Sequence, residues 1–72
     1  MYLCLAMCGE CGEVANLQKK MIRDKTDHTE RILEELGDVL YYVATYAEKL
    51  GSSLDQIAHA NLEKLKEHKL QE

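Results

Sequence analysis

Apolar residues recur every third or fourth position over three stretches of the chain, separated by two short polar breaks, which predicts three helices and no strand. The first stretch runs from about Tyr2 to about Asp24. With Glu10 as the reference direction and about 100° per residue, Leu3, Met7, Val14, Leu17 and Met21 all fall within about 60° of it. Cys4, Cys8, Cys11 and Ile22 widen this stripe on one side, while Lys19 and Arg23 fall on the far side. Glu10 therefore stands in the middle of an apolar stripe, and Glu13 on its edge.

The polar break "RDKTDHTE" offers Asp27 with Glu30 as a capping box for the second helix, with Thr29 as the rival cap. That helix should reach about Leu50 and stop at Gly51, a residue suited to the left-handed C′ position. Its apolar face is broad and includes Ile32, Leu33, Val39, Leu40, Val43 and Ala47; Glu35 and Asp38 stand at the border of that face, beside Tyr42 and Tyr46. Ser53 with Gln56 forms a second capping box and opens a third helix from Leu54 to about Lys69. Its stripe holds Leu54, Ile57, Ala58 and Leu65 around a central Asn61, with Lys64 and His68 at i+3 and i+7 from it. The expected fold class is all-α, one domain over residues 1–72, with three helices per chain in a bundle completed by oligomerisation.

Length and composition sharpen that expectation. A chain of 72 residues buries only about 60% of its unfolded surface and is marginally stable alone. With 46% hydrophobic residues and no proline, it reads as a compact helical protein and not as a disordered one. Oligomerisation is the expected support for so small a core. The net charge of −4, with nine Lys and Arg scattered among thirteen acids, argues against a nucleic-acid polymer as partner. No apolar run approaches the roughly 20 residues of a membrane span. "MYLCLAMC" lacks a charged leader and a cleavage site. Three cysteines, an odd number, without an export signal point to a reducing cytoplasm.

Two oddities remain. Gly9 and Gly12 each precede a glutamate in "GECGEVANLQKK", and Gly37 precedes Asp38 in "EELGDVLYY", although a glycine inside a helix costs about 1 kcal/mol relative to alanine. The acids are paired as well. Glu10 and Glu13 are spaced i, i+3, as are Glu35 and Asp38, and such residues share one helical face with Cβ atoms roughly 5–6 Å apart. Either these are ordinary solvated helix carboxylates, or two neighbouring antiparallel helices bring all of them together. Four converging carboxylates repel strongly and are costly to desolvate. A hard divalent cation such as Mg²⁺ resolves that conflict. On this reading the glycines let helix backbones, or a ligand, come close to the metal.

"GECGEVANLQKK" followed by "ILEELGDVLYYVATYAEKLGSSLDQIAHANLEKL" resembles the MazG-like family of all-α nucleotide pyrophosphohydrolases, whose pattern is EExxE, a spacer, ExxD, and an asparagine and lysine on a later helix. The resemblance covers about Leu5 to Lys66. It implies that Glu10, Glu13, Glu35 and Asp38 ligate Mg²⁺, with Mn²⁺ as a substitute, and form the catalytic centre. It further implies hydrolysis of a nucleoside triphosphate to a monophosphate and pyrophosphate, as in the house-cleaning of non-canonical nucleotides. Asn61 and Lys64 match nucleotide-contacting positions, Lys64 meeting phosphate as a point charge; Lys20, on Glu13's side of the first helix, is a further phosphate contact to consider. The family implies a homodimer or homotetramer whose helices complete one another's site. The chain departs from the pattern at Gly9, which replaces the first Glu of EExxE; Glu34 points about 100° away from Glu35 and is a poor substitute. His68 stands where the family often has an arginine. The family's usual helix before the first motif is not matched, so either the natural chain is longer or another subunit supplies that packing.

Two other functions stand beside this one: a non-catalytic helical oligomerisation module with the same fold, and a small zinc- or iron-binding protein using Cys4, Cys8 and Cys11. The cysteines otherwise read as reduced thiols packed in the core. Tyr41, Tyr42 and Tyr46 read as helix-packing residues, with base stacking as the alternative, and His28 and His59 as solvated residues.

Overall fold

A computed structural model describes residues 2–71, with side chains described as far as His68. Three helices follow in order: α1 Tyr2–Asp24, α2 Thr29–Lys49 and α3 Leu54–Gln71, with no strand among the described residues. The short connection between α1 and α2 folds them into an antiparallel hairpin that holds most of the tertiary contact. α3 packs sparingly on α2 and shares no backbone contact with α1. Met7 of α1 and Ile57 of α3 nevertheless line the same apolar pocket, whose remaining wall is Val43, Tyr46, Ala47 and Leu50 of α2.

The junctions show why the helices stop where they do. α1 ends at Asp24, and Lys25 takes up a left-handed conformation with φ 54°, a position more often given to glycine. Asp27 Oδ1 then accepts from the Thr29 amide at 3.0 Å and from the Thr29 hydroxyl at 2.6 Å. These two bonds hold the Asp27 carboxyl below the usual carboxylate range. The predicted capping box is not formed: His28 is the N-cap and makes no side-chain cap bond, and Asp27 bonds the amide of Thr29 and not that of Glu30. No return bond comes from Glu30, and Thr29 is the first helical residue and not the cap. At the end of α2, Gly51 has φ 81°. Its amide donates to Glu48 O at 3.0 Å, and the Ser52 amide to Ala47 O at 2.8 Å, which together make a Schellman motif. α3 opens on Ser53, whose Oγ accepts from the Gln56 amide at 3.1 Å. Here the return bond is diverted: Gln56 Oε1 accepts from the Ser52 hydroxyl at 2.9 Å.

The core is very small. Only Leu17, 2 % exposed, and Ala47 are buried hydrophobic residues among those described. A compact domain of this length has a radius of gyration of about 11 Å, whereas this chain reaches 15.3 Å and extends 39 × 36 × 18 Å. Its thickness is therefore that of two helices side by side. Of the broad apolar face expected on α2, Ile32, Val39 and Val43 are half-buried against the hairpin, while Leu33 remains 61 % exposed and Leu36 and Leu40 are exposed beside it. Along α3, Ile57, Ala58, Leu62 and Leu65 are all exposed. The cysteines do not pack in the core as expected: Cys4 is half-buried, and Cys8 and Cys11 are exposed, because the arc they occupy faces away from α2.

Candidate metal centre

Glu10 lies on the stripe of α1 that faces α2, which half-buries its side chain. Across the hairpin, Glu35 is half-buried and Asp38 exposed, one turn apart on α2. Carboxylate oxygens of Glu10, Glu35 and Asp38 lie within 4.8 Å of one another. No other group of three ligand-type side chains converges in this way among the described residues, the cysteines included.

The electrostatics of this triad are unfavourable as they stand. Oε2 of Glu10 is buried with no hydrogen-bond partner. Two ionised carboxylates can only accept, so Glu10 and Glu35 form a hydrogen bond only when one of them holds a proton. That shared bond is the first cause of a Glu10 pKa raised from 4.5 to about 7. Desolvation comes next, followed by the negative charges of Glu35, Asp38 and Glu13. A buried acceptor without a donor, facing two more carboxylates from another helix, fits a hard oxygen-seeking cation such as Mg²⁺ or Mn²⁺. It does not fit a soft thiophilic one.

The other expected site residues fall elsewhere. Glu13 is exposed and outside the triad, though near enough for its charge to act on Glu10. Lys20 is half-buried and lies about 15 Å along α1 from Glu10, where its charge helps lower the Asp24 pKa. Asn61, Lys64 and His68 are exposed on α3, the element that does not pack on α1. Glu34 is exposed. Tyr42 and Tyr46 are half-buried on α2, and Tyr41 packs edge-on against Tyr42 with ring centroids 5.5 Å apart.

The expectation for the glycines needs correction. A Cβ added at Gly9, Gly12 or Gly37 would meet nothing within 4 Å, so these glycines do not serve a close approach of helices within this chain. Cys8 and Cys11 flank Gly9 and Glu10 in the CxxC word "CGEC", a spacing that reads as a zinc or redox motif, although a redox CxxC normally opens a helix after a strand.

The described fold is an all-α hairpin in which one carboxylate of α1 and two of α2 converge. The chain belongs to a known family: the MazG nucleotide pyrophosphohydrolase domain matches residues 2–70. The chain is also similar to the "Gene 37 protein" of Mycobacterium phage L5, 38% identical over 73 residues, covering 94% of this chain and 64% of that protein. It thus spans somewhat less than two thirds of that relative's length. No solved structure matches it.

Proposed function

We propose that the chain is a Mg²⁺-dependent nucleoside triphosphate pyrophosphohydrolase that releases a nucleoside monophosphate and pyrophosphate and clears non-canonical nucleotides. The observation that supports this most is the donorless buried oxygen of Glu10 facing Glu35 and Asp38, in a chain of this family. Glu10, Glu35 and Asp38 would hold the ion, with Glu13 at the rim of the site. A bound divalent cation supplies charge neutralisation at the phosphates and a more acidic water. The proton on Glu10 must leave before that carboxylate can ligate, so the site becomes competent near neutral pH and above.

Asn61 and Lys64 would contact the nucleotide, Lys64 as a point charge toward phosphate, with Lys20 as an outlying phosphate contact. Their place on α3, away from α1, favours delivery from a second copy in a homodimer or homotetramer. The apolar surface left open on α2 and α3 supports the same assembly: Leu33, Leu36, Leu40, Leu62 and Leu65 are all exposed, and covering the half of each side chain that remains open contributes about 1 kcal/mol. The free thiols favour a reducing cytoplasm as the setting.

A panel of natural and modified NTPs and dNTPs, incubated with the chain and Mg²⁺ and followed by phosphorus NMR, tests this reading. Monophosphate with pyrophosphate is the expected product pair. Gly9, which leaves the first motif carboxylate missing, favours the second reading, a non-catalytic oligomerisation module; a silent panel at high enzyme concentration would establish that one instead.

A further inference from the structure

Cys8 and Cys11 are both free and both exposed on α1, one turn apart, with Gly9 and Glu10 between them. In a regular helix, residues at this spacing hold their Cβ atoms roughly 5–6 Å apart, whereas a disulfide needs about 3.5–4.5 Å. A gap of roughly 1–2 Å must close before the two sulfurs can bond. The residues inside and beside the turn decide whether it can close. Gly9 lies within it and Gly12 directly follows it, and both weaken a helix. A Cβ at either position would touch nothing within 4 Å, so nothing packs on the side of the turn that carries the two glycines, and α2 meets it only on the Glu10 side. The turn is therefore pliant, and it carries Glu10, the one member of the acidic triad contributed by α1.

We propose that Cys8 and Cys11 are a reversible oxidation site that detaches Glu10 from Glu35 and Asp38; the coupling to cation binding rests on the metal centre proposed above. A low-molecular-weight disulfide is the oxidant. The thiolate of one cysteine attacks a sulfur of the reagent and expels one small thiol. The second cysteine attacks the resulting mixed disulfide and expels the other. The Cys8 Sγ–Cys11 Sγ bond forms, the reagent's S–S bond is reduced to two thiols, and the two cysteine protons end on those thiols. Closing the bond tightens the backbone around Gly9 and Glu10, so the Glu10 carboxylate leaves its register with α2. Cys4 and Cys8 are the rival pair, at i, i+4. Between them lie Leu5, Ala6 and Met7, with no glycine, and Cys4 is half-buried, so that turn is stiffer and less open to the reagent.

The full-length chain is oxidised with glutathione disulfide and followed by intact mass, peptide mapping, far-ultraviolet circular dichroism and Mn²⁺ binding by electron paramagnetic resonance, alongside Cys4→Ser, Cys8→Ser and Cys11→Ser. The expected product lacks two hydrogens and links Cys8 to Cys11, in the wild type and in Cys4→Ser alike. It shows a local loss of helix and binds Mn²⁺ roughly tenfold more weakly or worse, and dithiothreitol reverses both changes. A reaction that stops with glutathione on each thiol, a Cys4–Cys8 link, or a Cys8–Cys11 link that leaves Mn²⁺ binding untouched overturns the proposal. Reduced protein that binds no Mn²⁺ overturns the metal centre, and the coupling with it, while mass and circular dichroism still decide whether the disulfide forms and bends α1.

Discussion

The α1–α2 hairpin and the α3 limb differ in sequence and end in different states, α3 being more polar and less amphipathic than α2. The hairpin holds both buried hydrophobic residues, Leu17 and Ala47, and it closes three carboxylates onto one another without help from outside the chain. α3 has a weaker apolar stripe, and Leu65 on it remains 51 % exposed. The connections add to that difference. The hairpin turn lays α2 back along α1, whereas the Gly51 junction leads α3 away from α1. Acid convergence is thus a property of one chain, and α3 stands apart from the helix that carries Glu10.

The strongest test of the hairpin half is Glu35→Gln. This change removes a ligand and half of the proton-sharing pair while conserving shape. Loss of a direct contribution of several kcal/mol at the phosphates predicts a drop in Mg²⁺-dependent turnover of about a hundredfold or more. Circular dichroism should be unchanged, and the metal-free melting temperature should rise, because one of three mutually repelling carboxylates is gone. Wild-type turnover in Glu35→Gln would remove the triad from the mechanism.

The α3 half is tested by mixing two inactive proteins. Glu35→Gln lacks one of the three triad acids of its own hairpin, and Lys64→Ala lacks the phosphate contact on its own α3. If each site joins the hairpin of one copy to the α3 of the other, equimolar mixed dimers regain about a quarter of wild-type activity, since half the dimers are mixed and each has one intact site. If Lys64 serves the site of its own chain, mixing restores nothing, and the contrast between hairpin and limb loses its functional meaning.

Much of this was legible in the sequence, and the parts that were not have identifiable reasons. The spans of α1 and α2 and the stop at Gly51 follow from periodicity and from the conformational freedom of glycine, which are local properties. Glu10 could be singled out because it sits at the centre of an apolar stripe, whereas Glu13, about 60° away, ends outside the triad. The capping boxes were only half legible. Side-chain acceptors face competing donors nearby, and Gln56 bonds the Ser52 hydroxyl in place of the Ser53 amide. The cysteines and glycines misled for a shared reason. Composition ranks cysteine as buried and glycine as a spacer, but in a chain with so small a core most of α1's outer surface faces solvent.

The raised pKa of Glu10 gives the hairpin a pH signature. Between pH 4.5 and about 7, folded protein keeps a proton on Glu10 that the unfolded chain has lost. Stability of the metal-free protein is therefore full below that window and falls as pH rises through it. Asp24 and Asp27 have lowered pKa values and titrate below the window, where their effect has the opposite sign. Metal-free melting temperature should decline from pH 5 to about 7 and then level off, and Glu10→Gln should flatten the slope. With Mg²⁺ present the trend should reverse, because ligation requires the ionised form. A slope that survives in Glu10→Gln would place the titrating group elsewhere.

The smallest expected effects concern the two junctions that make hairpin and limb differ. Gly51 sits at φ 81° and Lys25 at φ 54°, so both occupy left-handed space, but only one of them is glycine. A Cβ at Gly51 has open room around it, so the cost of Gly51→Ala is conformational alone, about 1 kcal/mol. Lys25→Gly relieves the same strain in the folded state while adding freedom to the unfolded chain, and the two terms partly cancel. The net expectation is a gain of roughly 0.5 kcal/mol or less, read as a small rise in the urea midpoint at constant slope. A fall in that midpoint would mean that the Lys25 side chain stabilises the end of α1 by more than its backbone strain costs, and that the hairpin turn, unlike the Gly51 junction, is held by charge near the last carbonyls of the helix.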